Sequence, residues 1–574
     1  MISMAVTEAG VDGPRPDASP SSPVRRLITQ AWTREAIPWW VLAVGLLGAS
    51  AMWLVLNSKM WFVGDTWFFI VHRGPIPSQD VGIWVPHNEH WSTLPVLLFR
   101  LLFSIFGLKH HLPYAVPLIV MHLVTCLALV RLMRRGGISR WTVVGVTLII
   151  AFLGNGAENL EWEFQTGFMG SAMFGILAVM VLSAGRIGRW RIVAAWALLV
   201  AGLMCSGVGV TMLGCAALVV LLRRGVVRAV VVASVPTVVY GVWYLLYGRH
   251  AIVTPIQYQE LGSLPRYVWT GLTMAWEKTT GIPGSGALIM LALMGTVLIA
   301  GRRHPAALAL TVGAVVQLTM SGVVRVQLGV GQSEASRYAY LVCVYMSVGL
   351  GVAVDVLVKR LGRPRWFTGA LVGLMCLAVI ANGVVLAVAN MVATRPGAIK
   401  ERDSVFATLA IEKSGQKILN GGAADSTFAF ITVDNLEAIR DKLPDGQASP
   451  QGYVDAASNL LVGTGAVTDY LPLASSVSVT GLAPSGPASG GCQTYLPTVG
   501  DEKIGFTVGD QGGRVRLTLG GTSYKTRLES GGLSGVLVDR TVPSSQPFSV
   551  GTSSRGGTLD ILPTAGASVT VCTG

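Results

Sequence analysis

The chain reads as a polytopic, predominantly α-helical membrane protein carrying a β-rich C-terminal domain, and three observations predict that class. Of its 574 residues 52% are hydrophobic and only 13% are charged, a balance too apolar for a soluble globule. Apolar segments near the length of a bilayer crossing recur as far as residue 392. Between them sit short basic clusters: Arg25/Arg26/Arg34, Arg131/Arg134/Arg135/Arg140, Arg186/Arg189/Arg191, Arg223/Arg224/Arg228, Arg302/Arg303 and Lys359/Arg360/Arg363/Arg365. The positive-inside rule assigns these clusters to the cytoplasm and the acidic, His-rich and Trp-rich loops to the outside. The net charge of +13 belongs to loops that orient helices and meet anionic headgroups, which excludes nucleic acid as the partner.

Taken in order, residues 1–36 form a disordered cytoplasmic leader, rich in Pro, Ser, Gly and Asp through Pro23. No apolar core with a small-residue cleavage site precedes the first span, so no removable signal peptide is expected. About eleven helices follow in a domain spanning 37–392, at 38–56, 113–133, 142–157, 168–184, 192–206, 208–222, 229–247, 287–300, 306–322, 338–358 and 367–392. The stretch 192–222 is too long for one crossing, yet basic clusters flank both ends, so it reads as two short helices broken at Ser206-Gly207. Residues 93–107 are apolar but short, and counting them as a span would invert every later loop. They read as an interfacial helix with Arg100 and Ser104 on one polar stripe. The outer surface then comprises loops 57–112, 158–167, 248–283 and 323–337, and everything after about residue 393.

The tail divides into a mixed α/β segment, 393–470, with helical patches at 399–413 and 435–442, and a β-sandwich-like domain, 471–574. Val477/Val479, Phe506/Val508, Val515/Leu517/Leu519 and Val569/Val571 alternate with polar residues between Gly- and Ser-rich turns. Of seven cysteines, Cys126, Cys205, Cys215, Cys343 and Cys376 lie in or beside apolar spans as small buried hydrophobes. Cys492 and Cys572, near the two ends of the β-rich part, make a disulfide candidate in an oxidising compartment.

Candidate chemistry concentrates in the first outer loop, which contains Trp61-Phe62-Val63-Gly64-Asp65-Thr66-Trp67 and Pro86-His87-Asn88-Glu89-His90-Trp91. Asp65 sits just beyond the first span among aromatic residues, either as a partly desolvated base or as an exposed loop acid. A second concentration, Glu158-Asn159-Leu160-Glu161-Trp162-Glu163-Phe164-Gln165, is either a platform for sugar hydroxyls and a sugar face or a solvated turn. Among the Trp residues of the outer loops, Trp61, Trp67, Trp84, Trp91, Trp269 and Trp276, most suit an interfacial aromatic belt.

A first span, an Asp just outside it, a His/Glu/Pro-containing stretch feeding an interfacial helix, a second span ending in a basic turn and a soluble C-terminal domain together resemble the GT-C superfamily of membrane glycosyltransferases. The resemblance covers the membrane half, about 38–392, and order and spacing carry it. It implies an inverting transferase that takes a sugar from a polyprenyl-phosphate donor to an acceptor on the outer side of the membrane, with a catalytic Asp that maps to Asp65. One departure is that many such enzymes carry two adjacent acids here, whereas Thr66 and Trp67 follow Asp65. A second carboxylate has to come from Asp80, Glu89 or the Glu158/Glu161/Glu163 cluster, which leaves a divalent cation open as a cofactor and none assigned. His87, Glu89 and His90 read either as a metal site or as hydrogen-bonding, positional groups.

Sugar transfer from a lipid phosphate needs a base for the acceptor hydroxyl and cations for the departing phosphate. Asp65 is the expected general base, and Arg325, Arg337, His87, His90 and Lys109 are the outward candidates for the phosphate. Arg337 and Arg100 have the alternative role of snorkelling anchors. Glu89, Glu158, Glu161, Trp162 and Gln165 are the candidates for the acceptor sugar. The expected setting is a bacterial plasma membrane, with the N-terminus cytoplasmic, the C-terminal domain extracytoplasmic and a cell-envelope glycan or glycolipid as acceptor. Two rival readings are a non-catalytic envelope scaffold or glycan-binding protein, and a lipid or polysaccharide transporter. A transporter would carry ionisable groups inside its spans and repeat symmetry; Asp355 lies near a cytoplasmic end and no internal repeat is evident.

Overall fold

A computed structural model describes residues 35–573 apart from 361–364, 426, 499–501 and 543. The leader expected over 1–36 lies outside the described residues up to position 34, as do Arg25, Arg26, Arg34 and Arg363. All eleven apolar segments contain helix. They are α1 (Ile37–Asn57), α4 (Leu112–Arg135), α5 (Arg140–Ala151), α7 (Thr166–Leu182), α8 (Arg189–Leu203), α9 (Val208–Arg224), α10 (Val226–Leu246), α12 (Ser285–Ala300), α13 (Pro305–Arg325), α14 (Ser336–Arg360) and α15 (Arg365–Lys413). The short helices α2 (Asp65–His72), α3 (Thr93–Phe106), α6 (Glu158–Glu161) and α11 (Leu264–Thr280) interleave with them. Among the described residues seven helices are long and apolar enough to cross a membrane, or eight if α11 and α12, bent by 115° at their junction, form one span.

Local sequence accounts for many boundaries. Proline occupies the first turn of α1, α4, α11 and α13, where its missing N–H costs nothing. The Ser139 hydroxyl caps α5 by accepting from Thr142 N–H. The chain breaks between Leu203 and Val208, as expected. The outer face of the bundle is apolar: Val44 and Leu47 on α1, Val238 and Leu245 on α10, and Leu374 and Leu377 on α15 are exposed, as lipid contact requires. Helix α3 exposes Leu97, Leu101 and Ile105 in one i, i+4 row, the pattern of an interfacial helix.

Two regions depart from expectation. The segment 248–283 is not a loop throughout, because α11 occupies its second half. Its buried Tyr267, Gly271 and Ala275 repeat every four residues and face α13 and α14. The boundary expected at residue 392 falls within α15, a continuous helix of 49 residues. At 1.5 Å per residue α15 is about 74 Å long, more than twice a hydrocarbon core.

The C-terminal half of α15 is therefore shared between two cores. Ala398, Val405 and Phe406 pack with Phe62, Trp67 and Phe103 of the first loop and α3, whereas Ala407 and Ile411 join the core of the tail. Helices α16 (Val433–Ala438) and α17 (Pro450–Leu460) lead into twelve strands. The strands are β1 (Val462–Thr464), β2 (Ser478–Thr480), β3 (Leu482–Pro484), β4 (Cys492–Pro497), β5 (Lys503–Thr507), β6 (Gly513–Leu519), β7 (Ser523–Ser530), β8 (Leu533–Ser534), β9 (Val538–Thr541), β10 (Pro547–Thr552), β11 (Thr558–Pro563) and β12 (Val569–Cys572). One sheet has the order β1-β10-β6-β12-β4-β3 and the other β2-β5-β11-β7-β8, with β9 also on β7. All their strand pairs are antiparallel. Val515, Leu517 and Leu519 of β6 (Gly513–Leu519) meet Ile504, Phe506 and Leu559 of the other sheet in one core, so period-two alternation becomes a two-layer β structure. Cys492 on β4 and Cys572 on β12 stand directly opposite and are joined in a disulfide.

Candidate functional site

The first loop folds around one residue. Arg73, which follows α2, is buried and donates through its guanidinium to the carbonyls of Gly82, Val85 and Pro86, gathering the 80s segment beneath α2. Arg100 on α3 donates to the Arg73 carbonyl at 2.6 Å and pairs with Asp80 at 2.7 Å, so it braces the loop rather than snorkels. The chain then reverses at His87-Asn88-Glu89-His90: His87 N–H donates to His90 C=O (3.0 Å), His90 N–H donates to His87 C=O (2.9 Å), and Asn88 takes a positive φ of 50°, which Asn tolerates.

This reversal sets five of the expected residues, Asp65, His87, Glu89, His90 and Arg325, in one place. His87 is buried against Phe68, Phe69 and Phe164 at ring separations of 4.7, 5.7 and 5.0 Å. Both of its ring nitrogens are buried without a hydrogen-bond partner, and Nε2 is 3.9 Å from the carboxylate of Asp65. Asp65, with a side chain 49% exposed, begins α2. Glu89 faces His90 at 3.7 Å and Arg325, from the end of α13, at 3.9 Å. Burial holds the His90 imidazole below its ordinary value, and its Nδ1 accepts from the Gly207 N–H at 3.4 Å, at the break before α9.

The loop that presents Asp65 is pinned from three directions. Gly64 has φ +56°, a conformation that favours glycine, and its N–H donates to both carboxylate oxygens of Glu401 at 3.1 and 3.2 Å. Trp162 donates its indole N–H to the Val63 carbonyl at 3.1 Å. Next to Asp65, the Thr66 hydroxyl donates to Glu163 at 2.6 Å; the other Glu163 oxygen is 2.7 Å from His111 Nε2. Glu163 and His111 are buried, and Nδ1 of His111 faces the Asn57 carbonyl at 3.2 Å. A backbone so anchored holds a half-exposed carboxylate still.

The second acidic cluster separates by role. Glu158 pairs with Arg337 at 2.6 Å, so each largely neutralises the other, and Arg325 is the cation with the looser partner. Glu161 is buried and accepts from Asn390 of α15 at 2.7 Å; burial pushes its carboxyl up to about 7. Gln165 is buried too, whereas Trp162 remains partly exposed beside Gly64. Lys109 is exposed in the turn between α3 and α4 and joins none of these contacts. His87, Glu89 and His90 do not form a ligand set: among the described residues no three His, Cys, Asp or Glu side chains converge to hold a metal ion.

No protein-family model matches the sequence, and neither does any curated protein. Solved structures do resemble the fold. ArnT from Cupriavidus metallidurans bound to undecaprenyl phosphate aligns with TM-score 0.45 and 13% identity, over 74% of this chain and 92% of that one. The Archaeoglobus fulgidus oligosaccharyltransferase in its apo form aligns with TM-score 0.45 and 12% identity, over 76% and 70%. Arabinosyltransferase EmbB from Mycobacterium smegmatis aligns with TM-score 0.38 and 10% identity, over 93% and 64%. These neighbours are polytopic GT-C membrane glycosyltransferases. At such identities and TM-scores the likeness assigns no activity to this chain.

Arg73, His111, Glu163 as a structural anchor, Asn390 and Glu401 were not expected at the site. Glu401 lies 337 residues from Gly64 inside a mixed-charge stretch, and no local pattern points from one to the other. For His111 the only signal was its place immediately before a span.

Proposed function

We propose that the chain is an integral-membrane glycosyltransferase that moves a sugar from a polyprenyl-phosphate donor to a cell-envelope glycan or glycolipid. The observation that carries this reading is the half-exposed Asp65 on a pinned backbone, faced by a buried imidazole whose nitrogens have no partner. Asp65 is the general base: it takes the proton of the acceptor hydroxyl as that oxygen forms its bond to the anomeric carbon. The bond from that carbon to the phosphate oxygen breaks with inversion, and the phosphate leaves with the electron pair. Arg325 stands near enough to the same turn to meet the departing charge, and His87 supplies a ring N–H there. Trp162 offers a ring face to the acceptor sugar beside Gly64. In this reading the eleven helices cross the membrane with the N-terminus cytoplasmic, and the tail and the Asp65 site lie outside.

The test is mass spectrometry of lipids that co-purify with wild type and Asp65→Asn from the native membrane, alongside transfer assays. Transfer should fall by about 10²–10⁴-fold, while a polyprenyl-phosphate sugar accumulates on the variant. Undiminished transfer by Asp65→Asn removes Asp65 as the base, and the absence of any such lipid from both proteins favours the scaffold reading.

A further inference from the structure

At the ends of the bundle helices opposite the Asp65 site lies a polar cavity of about 380 Å³. Its floor is apolar, from Leu132, Ile138, Val348 and Val352. Its charged lining is all of one sign: Arg135 at the end of α4, Arg223 and Arg224 at the end of α9, and Arg302 and Arg303 before α13, with His304 beside them and no Asp or Glu among the lining residues. The acid on α14 in this region, Asp355, is already held by Lys359 at 2.6 Å and by the Ser139 N–H at 3.2 Å.

Part of this charge has a structural task. Arg135, Arg223 and Arg224 donate to the carbonyls of Met180, Ser183 and Gly185, closing the C-terminal end of α7. Such capping needs one N–H from each of three guanidiniums, not five arginines. Arg302 and Arg303 are exposed and cap nothing in α7. Two further observations point to a missing acceptor. Ser183 lines the cavity and is 9% exposed, and its hydroxyl and Nε of Arg224 are buried without a hydrogen-bond partner. In addition, the first i→i−4 bond of α13 runs from Leu308 N–H to His304 C=O, which leaves the amides of Ala306 and Ala307, both lining residues, as open donors at the positive end of a 21-residue helix.

We propose that this cavity binds a phosphate group, supplied by the headgroup of an anionic phospholipid lodged between α4, α9 and α13. Basic pockets between membrane helices suit such headgroups, and the apolar floor suits the first acyl carbons. This site takes no part in sugar transfer.

The experiment uses the full-length protein in detergent, titrated with cardiolipin and, in parallel, with phosphatidylcholine, with bound lipid read by native mass spectrometry. Cardiolipin should bind in preference to phosphatidylcholine, and Arg302→Gln/Arg303→Gln should weaken it by roughly tenfold or more. Ser183→Ala, which leaves the α7 caps intact, should weaken it less. Inorganic phosphate that displaces cardiolipin only at high concentration supports the lipid source. Phosphate that binds as well as cardiolipin, and is lost in the same variants, assigns the site to a soluble phosphoryl compound. Cardiolipin affinity unchanged in both variants, or equal for the two lipids, overturns the proposal.

Discussion

Glu161 shows how a single buried group turns into a pH dependence. Burial raises its carboxyl to about 7 in the folded chain against an ordinary value of 4.5. The folded state thus binds more protons than the unfolded one between those values, and stability falls as pH rises through that window. At pH 8 the charged, buried form costs on the order of 3 kcal/mol. Glu161→Gln, which still accepts from Asn390, should raise the unfolding midpoint at pH 8 and leave it unchanged below pH 4.5; a uniform shift across pH would contradict this cause. At a neighbouring buried pair a substitution costs stability instead: Glu163→Ala strands His111 and Thr66 and should destabilise by about 3–5 kcal/mol, read in thermal unfolding. At this scale the proximity of Asp65, His87, Glu89 and His90 was legible, because the first outer loop, 57–112, carries them all. It was silent on Glu401 and Asn390, whose partners are hundreds of positions away.

Among the elements, hydropathy revealed the helices that expose an apolar face, such as α1, α10 and α15, and it concealed α11. That helix carries Arg266, Glu277 and Lys278 and buries only one side, so its mean hydropathy resembles that of a loop while its four-residue spacing does not. The packing of α15 was also hidden. A Cβ at Gly383 would collide with the Phe152 carbonyl oxygen, and one at Gly154 with the Gly383 carbonyl oxygen, so two backbones touch at that point. Gly383→Ala should destabilise the protein by about 1–3 kcal/mol and displace Asn390 and Glu401, lowering transfer. Gly373→Ala, on the same helix with nothing within 4 Å of its Cβ, should do neither. In the tail, Cys492→Ser/Cys572→Ser opens a bridge spanning 80 residues and should cost about 2–4 kcal/mol, seen as a lower unfolding temperature.

Across the whole molecule, the expected arrangement of a helical membrane half followed by a β-rich tail matches the order of elements. The expected seam between them does not, since α15 runs through it and contributes to both cores. The proposed orientation makes a direct prediction: alkaline phosphatase fused after Gly574 is active, and inserted between Arg302 and Arg303 it is inactive. The reverse pattern would refute that orientation. The contact between Gly64 and Glu401 also imposes a schedule. The first loop is synthesised 337 residues before the carboxylate that anchors it, and at 5–20 residues per second that interval is roughly 20–70 s. Trp162 and Glu163 reach the turn about a hundred residues after it is made, but until Glu401 arrives the Gly64 amide beside Asp65 lacks its acceptor. Competence is thus gained late in synthesis, when the end of α15 arrives, and a ribosome that stalls before residue 401 leaves an inserted but unfinished site in the membrane.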